Sequence, residues 1–340
     1  MPADFQRGGC GLKLSGKRVL VTGAGGFIGS HLVEMLVAEG ARVRALVNYN
    51  SFNFRGWLER SPAAAQAEIV SGDIRDSRLC AQFTVDQEII FHLAALIAIP
   101  YSYQAPESYV DTNIKGTLNI CEAARAARVR RLVHLSSSEV YGTASYVPID
   151  EQHPIQPQSP YAASKVGADA IVRSFHASYG LPAVIARPFN TYGPRQSARA
   201  IVPTIISQLA SKNHEVRLGE IHSSRDFTFV SDTCRALIDL ASLDVEGQVF
   251  NIGSNSEITI EALFTTIAEI MGVEARIVTD RERIRPAASE VMRLKCDSRK
   301  IASACAFEPQ VLLAEGLRAT IEWFRQADNL SFYKSASYNV

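Results

Sequence analysis
Short apolar runs alternating with amphipathic stretches organise the first two thirds of the chain. Lys17 to Thr22 is a short, nearly continuous apolar run that stops at glycines, the pattern of a strand covered on both faces of a parallel sheet. Behind it Ile28, Leu32, Met35 and Leu36 recur at helical spacing with Gly40 past the last of them, so a helix follows. The same alternation predicts strands over Ala41 to Val47, Ala67 to Val70, Ile89 to Leu93, Arg131 to Ser136, Leu181 to Arg187 and Gln248 to Ile252. Helices are predicted between them, notably over Tyr109 to Ala127 and Tyr161 to Tyr179. Strands alternating with helices at this length imply right-handed βαβ units, hence an α/β fold on a Rossmann-like doubly wound parallel sheet.

From about residue 187 the rhythm breaks at Pro188, Pro194 and Pro203, with one helix predicted near Ile201 to Leu209. A chain of 340 residues also exceeds the roughly 250 to 300 at which single cores stop growing. The expected organisation is a sheet domain over residues 15–186 with a return segment at about 224–254, and a smaller C-terminal lobe built from residues 187–223 and 255–330.

Charge narrows the partners. Lys and Arg number 35 and Asp and Glu 35, so no global field draws the chain to nucleic acid or an anionic membrane, and any anion must be gripped locally. No apolar stretch is long enough to span a bilayer, and the first residues, with Asp4 and Arg7, lack the apolar core of a signal peptide. The cysteines, at 10, 80, 121, 234, 296 and 305, are scattered without a CxxC pair, and His176, His214 and His222 have no ligand spacing. A cytoplasmic protein without a metal site or disulfide framework is expected.

The first strand is followed by Gly23-Ala24-Gly25-Gly26-Phe27-Ile28-Gly29, a GxxGxxG run between a strand and a helix N-terminus, the context a dinucleotide-binding turn requires. Gly23 permits the tight turn, Gly26 lets the backbone approach a pyrophosphate, and Gly29 lets helix pack on strand. Free N–H groups and the helix dipole then stabilise the anion. Gly72-Asp73-Ile74 after the third strand offers a carboxylate to an adenine, and Leu93-Ala94-Ala95 beyond His92 leaves room for a nicotinamide. The second strand ends Leu46-Val47-Asn48-Tyr49-Asn50, without the Asp or Glu that holds the ribose hydroxyls of NAD and without an Arg for a 2′-phosphate, although Arg55 is near. NAD is the expected cofactor, with NADP open; Asn48 is placed at the ribose, and Asn48 and Asn50 are also turn formers.

Tyr161 and Lys165 are four apart on one helical face, where a phenol and an ammonium reach the same spot. The lysine charge is expected to lower the phenol pKa, fitting Tyr161 to act as base toward a substrate hydroxyl. Ahead of them the fifth strand ends in Ser136-Ser137-Ser138-Glu139-Val140-Tyr141-Gly142, at the sheet crevice where α/β folds place ligands. Alternation along an extended strand would turn Ser137 and Glu139 to one side, a hydroxyl and a carboxylate facing one substrate.

With Arg187-Pro188-Phe189-Asn190 and Arg225-Asp226-Phe227 added, these motifs span nearly the whole chain. Together they resemble the extended short-chain dehydrogenase/reductases of the nucleotide-sugar epimerase/dehydratase family. The resemblance implies that Asn190, Arg225 and Arg285 hold a nucleotide diphosphate, arginine being suited to bidentate phosphate contacts. Leu96 to Tyr103, Phe189 to Gln196, Ser289 to Arg293 and the terminal Tyr338-Asn339-Val340 are similar to a narrower group, the N-acetylglucosamine-nucleotide 4,6-dehydratases that feed legionaminic acid and related surface sugars. That likeness puts Pro100 and Tyr101 on the substrate. It implies that Tyr161, assisted by Ser137, takes the C4 hydroxyl proton as hydride leaves C4. Glu139 then removes the C5 proton, water leaves from C6, and hydride returns to C6.

Ser138 occupies the place of an Asp acid in glucose-nucleotide 4,6-dehydratases, and the Ser-Glu pair also resembles UDP-glucuronate decarboxylases. Decarboxylation is therefore the alternative, followed by C4 epimerisation and by a non-catalytic nucleotide sensor. The helices over Tyr109 to Ala127 and Tyr161 to Tyr179 resemble those that pair family members, which implies a homodimer; their apolar Ile171, Val172 and Phe175 can equally cover the sheet.

Overall fold
The computed structural model describes residues 14–211 and 214–334; Cys10 and the Tyr338-Asn339-Val340 motif lie outside the described residues. Seven strands make one parallel sheet: β1 (Arg18–Thr22), β2 (Arg42–Asn48), β3 (Glu68–Gly72), β4 (Ile89–His92), β5 (Arg131–Leu135), β6 (Ala183–Pro188) and β7 (Val249–Ile252). Their order, β3-β2-β1-β4-β5-β6-β7, reverses its direction of growth between β1 and β4 and opens a crevice at their C-terminal ends. Strands β4 and β6 are buried along their whole length, which is why they read as apolar runs without alternation.

The main helices are α1 (Phe27–Ala38), α2 (Ser77–Thr84), α3 (Gly116–Ala126), α4 (Pro160–Tyr179), α5 (Ile201–Ala210), α6 (Val230–Ser242), α7 (Ile260–Met271) and α8 (Leu313–Arg325). On one face of the sheet Leu32 and Leu36 of α1 and Leu237 and Leu240 of α6 close over Val19, Val21 and Phe91. On the other, Ile120 and Cys121 of α3 and Val172 and Phe175 of α4, with Ile171 beside them, cover Leu20, Ile90 and Leu132. Each fully buried Leu or Ile contributes roughly 1.5 to 3 kcal/mol. The lobe has its own core, where Ile205 and Leu209 of α5 meet Leu263 and Ile267 of α7 and Leu317, Ile321 and Phe324 of α8. Among the described residues no helix is long and apolar enough to cross a membrane.

Three features depart from the sequence reading. The helix expected over Tyr109 to Ala127 begins at Pro106–Tyr109, widens into a π-helical turn over Val110–Lys115 and only then becomes α3. Asn113 in that turn is bonded across to Leu96 and Ser164, tertiary bonds that override the helical repeat. Helices α6 and α8 have Phe229 and Leu312 at their N-cap positions, with no side-chain cap, so neither carries an N-terminal signature. The segment assigned to the lobe returns to the sheet over Arg299–Cys305: Ile301 and Phe307 join the α1/α6 core and Lys300 Nζ donates to Val249 O at 2.8 Å.

Candidate active site
The GxxGxxG run forms the turn from β1 into α1. Gly23 has a φ of 69°, and a Cβ there would meet Ala94 N at 2.8 Å, so the turn lies against the end of β4. A Cβ on Gly29 would stand 2.2 Å from Gly23 O. Gly26 is the N-cap of α1 and no side chain caps that helix, leaving its first-turn N–H groups for an anion. Phe27 stands edge-on to His31, and Ile28 packs against the core. Leu93 N and Ala94 N both donate to Thr22 Oγ1 at 3.1 Å, fixing the chain beyond β4, with Ala95 next in line.

Asn48 is exposed at the end of β2. Asn50 is a turn former, its Oδ1 accepting from Phe52 N and Phe54 N at 3.2 and 3.1 Å. Asp73 is clasped by the Arg75 guanidinium, with Oδ2 2.5 Å from Nη2, and the hydrogen bonds from Arg75 hold its carboxyl below the usual range. Ile74 turns its side chain into the core, against Gly116 and close to Cys80, so only its backbone is left to face a ligand.

The sequence reading of the fifth strand is corrected. β5 stops at Leu135, and Ser137 caps a 3-10 turn over Ser138–Tyr141, its Oγ accepting from Glu139 N at 3.2 Å. Ser137 and Glu139 therefore approach Tyr161 through a capped turn, because a serine hydroxyl that bonds the backbone competes with strand geometry. Ser138 is buried in that turn.

Helix α4 starts with Ser159 as cap, its Oγ accepting from Ala162 N at 3.1 Å, and Pro160 in the first turn. That start places Tyr161 in the first turn and Lys165 one turn later, both buried. Lys165 Nζ donates to Leu135 O at 2.8 Å; burial pushes its pKa down to about 8, opposed by Asp169. Burial also pushes the Tyr161 phenol well up, the Glu139 charge pushes it further, and the Ser137 hydroxyl opposes both. The expectation that Lys165 lowers the phenol is thus not met by the chain alone: its ammonium is spent on a carbonyl, and desolvation outweighs the rest.

Two groups behind this pair were not anticipated. Asn113 sits in the π-helical turn, and Asp169, eight residues after Tyr161 on the same face of α4, takes Arg187 at 2.9 and 3.1 Å in a buried pair. The four-residue spacing of Asp169 from Lys165 was the available signal.

A cavity of about 220 Å³ lies between the end of β5 and the lobe. Its wall joins Glu139, Asn190, Arg225, Arg285 and Pro100. Arg225 lies on the short strand Ser224–Arg225, which Ile258–Thr259 and Arg293–Leu294 flank on its two sides, and Asn190 N donates to Asp226 O at 3.0 Å. Glu290 Oε1 lies 3.3 Å from Arg225 Nη2 and 3.8 Å from Arg285 Nη1. Asn190 Nδ2 and Arg285 Nη1 are buried without a hydrogen-bond partner, an arrangement that an anionic ligand completes. Gln196, the last residue of the Phe189 to Gln196 motif, also lines the cavity, as do Arg199 and Arg283, which nothing in the sequence singled out. Tyr101 does not line it, and its ring packs instead at 6.2 Å from Tyr109, which is edge-on to Tyr161.

A dinucleotide turn, a tyrosine–lysine helix and an arginine-walled cavity on one crevice agree with what comparison with known proteins finds. The sequence model of the GDP-mannose 4,6 dehydratase family matches residues 20–320. The chain belongs to this family. As a member of it, within the extended short-chain dehydrogenase/reductases that epimerise or dehydrate nucleotide sugars, it is similar to UDP-glucose 4-epimerase of Mycolicibacterium smegmatis, 36% identical over 316 residues, 91% of this chain and 98% of the relative. It is also similar to dTDP-glucose 4,6-dehydratase of an Actinoplanes species, 32% identical over 319 residues, again 91% and 98%. Among solved structures, DesIV, a dTDP-glucose 4,6-dehydratase from Streptomyces venezuelae with NAD and TYD bound, is similar with a TM-score of 0.84 and 32% identity over 94% of this chain and 100% of that one.

Proposed function
We propose that the protein is an NAD-dependent 4,6-dehydratase that converts a nucleotide-linked N-acetylglucosamine, on UDP or GDP, to the 4-keto-6-deoxy sugar. Glu139 carries the reading: its carboxylate is in the wall of the arginine cavity, and its charge reaches the Tyr161 phenol. Epimerisation at C4 needs one base; elimination across C5 and C6 needs a second for the C5 proton.

Gly23, Gly26 and Gly29 would hold the dinucleotide phosphates, Asn48 and Asp73 the adenosine end, and Leu93, Ala94 and Ala95 the nicotinamide end. The uncapped start of α1 and the close-packed glycines fit that group. When bound, the oxidised dinucleotide supplies the hydride acceptor that a C4 alcohol needs to become a ketone. Tyr161 Oη takes the C4 hydroxyl proton, with the Ser137 hydroxyl sharing it. Glu139 takes the C5 proton, which the neighbouring ketone acidifies. Asn190, Arg225 and Arg285 hold the diphosphate, and Ser138 lies beside the base where an acid for the departing C6 hydroxyl is needed.

Proton NMR of the protein with NAD and UDP-N-acetylglucosamine, GDP-N-acetylglucosamine or UDP-glucuronate tests this. A C6 methyl doublet from an N-acetylglucosamine nucleotide is the expected result. Loss of C6 from the glucuronate alone assigns decarboxylation, and inversion at C4, which the M. smegmatis relative makes the second reading, assigns epimerisation.

Further results are expected. Gly29→Ala forces a Cβ onto Gly23 O; at the roughly 1 to 3 kcal/mol that overpacking costs, NAD affinity should fall by about 5- to 150-fold by calorimetry. Lys165 is charged below its pKa of about 8 and neutral above it. Its help to a phenolate is therefore full below about 8 and lost as pH rises through it, and kcat against pH should show that alkaline limb. The outer faces of the helices before and along α4 make the protein a homodimer in this reading, and sedimentation giving a monomer at micromolar concentration overturns it.

A further inference from the structure
Buried at the end of β4, His92 has no part in the reaction as proposed. We infer that His92 is a positioning residue that sets the wall of the cofactor crevice over residues 93–96 in register with the catalytic helix α4. What that wall and helix do rests on the function proposed above.

His92 is 1% exposed, with Nδ1 2.8 Å from Thr22 Oγ1 and Nε2 3.0 Å from Thr117 Oγ1. The neighbours settle where the protons go. Thr22 Oγ1 already accepts from Leu93 N and Ala94 N, so its own hydrogen is directed at Nδ1. Thr117 Oγ1 donates to Asn113 O at 2.6 Å and therefore receives Nε2–H. One neutral tautomer satisfies every site. Burial, then the charges of His134 and Lys165, keep the ring unprotonated.

Beyond Thr117 the donors continue in the same sense. Asn113 Nδ2 donates to Ser164 Oγ at 2.8 Å, and Ser164 Oγ donates to Tyr161 O at 2.7 Å. Asn113 also holds both backbone groups of Leu96, its Oδ1 accepting from Leu96 N at 2.8 Å and its Nδ2 donating to Leu96 O at 2.9 Å. The wall is thus pinned at its start by Thr22 and at its end by Asn113, and the His92 ring, with the Thr117 hydroxyl, joins those two pins into one directed chain that ends on the backbone of the catalytic tyrosine. Bonds aligned in this way reinforce each other, and the spacing they fix is the kind on which reaction rate depends steeply.

The test combines a spectroscopic signature with variants of the full chain. In protein labelled with 15N at histidine, His92, assigned by its loss in His92→Gln, should show the Nε2–H tautomer unchanged from pH 5 to 8, where an unperturbed imidazole titrates. A ring that titrates there, or carries its proton on Nδ1, overturns the inference. Thr117→Val keeps the volume and removes the acceptor; it should lower kcat and NAD affinity about tenfold each while KM for the nucleotide sugar stays within about twofold. His92→Gln, which retains one acceptor and one donor, should recover most of what His92→Phe loses. Unchanged kcat and NAD affinity in Thr117→Val overturn the inference. A wild type that turns over no nucleotide sugar instead overturns the proposed function, and the tautomer and NAD affinity then decide on His92 alone.

Discussion
Replacing Tyr161 with Phe is expected to cut turnover of the nucleotide sugar by about 10²- to 10⁴-fold, the range a positioned proton-transfer group supplies, equivalent to about 3 to 5 kcal/mol of barrier. The substitution removes one oxygen and keeps the ring that stands edge-on to Tyr109 at 6.3 Å, so the helix and its packing persist. The thermal midpoint and the content of bound dinucleotide should therefore match the wild type. Because burial holds the phenol up in the chain alone, proton removal needs the charges that arrive with the ligands, and a small effect of Tyr161→Phe would assign the base elsewhere. A protein that only senses nucleotide would be indifferent to the change.

Glu139→Gln should separate the two bases. With the carboxylate gone, dehydration should fall by about 10²- to 10³-fold, and deuterium from solvent should no longer enter C5. Binding should move the other way. Burial lowers the pKa of the Arg225 guanidinium and the Glu139 charge opposes that, so the carboxylate satisfies part of the arginine's demand for an anion. Its removal leaves more of that demand to the diphosphate, and KM should fall with kcat. A KM that rises, or C5 exchange that persists, removes Glu139 from the second proton transfer.

Much of this was legible in the chain because the parallel sheet leaves a strong mark. Strands buried on both faces are unbroken apolar runs, and the glycines at the β1 turn are required by contacts as close as 2.2 Å that no other residue tolerates. Tyr161 and Lys165 were readable because they lie on one helix with a capped start. The capped turn at Ser137 was not, since whether a hydroxyl bonds its own backbone or leaves the strand intact depends on what packs around it. Nor was the π-helical turn at Asn113, which exists because of partners 17 and 51 residues away. The cavity wall shows the same limit: Arg225, Arg285 and the Ser289 to Arg293 motif that holds Glu290 came from family resemblance, whereas Arg199 and Arg283 meet them only through the folding of the lobe.

The return of Arg299–Cys305 to the sheet bears on how the molecule comes apart. The chain after the exposed stretch around Arg281 to Ala288 supplies the strand Arg293–Leu294 beside Arg225, then Ile301 to the core of the sheet, then α8 to the core of the lobe. A protease cutting once in that stretch would leave two fragments interlocked through both cores, so the nicked protein should elute as one particle and separate only on a denaturing gel. It would lose the connection that carries Arg285 and Glu290 while keeping the β1 turn whole, a form competent for dinucleotide and deaf to sugar nucleotide.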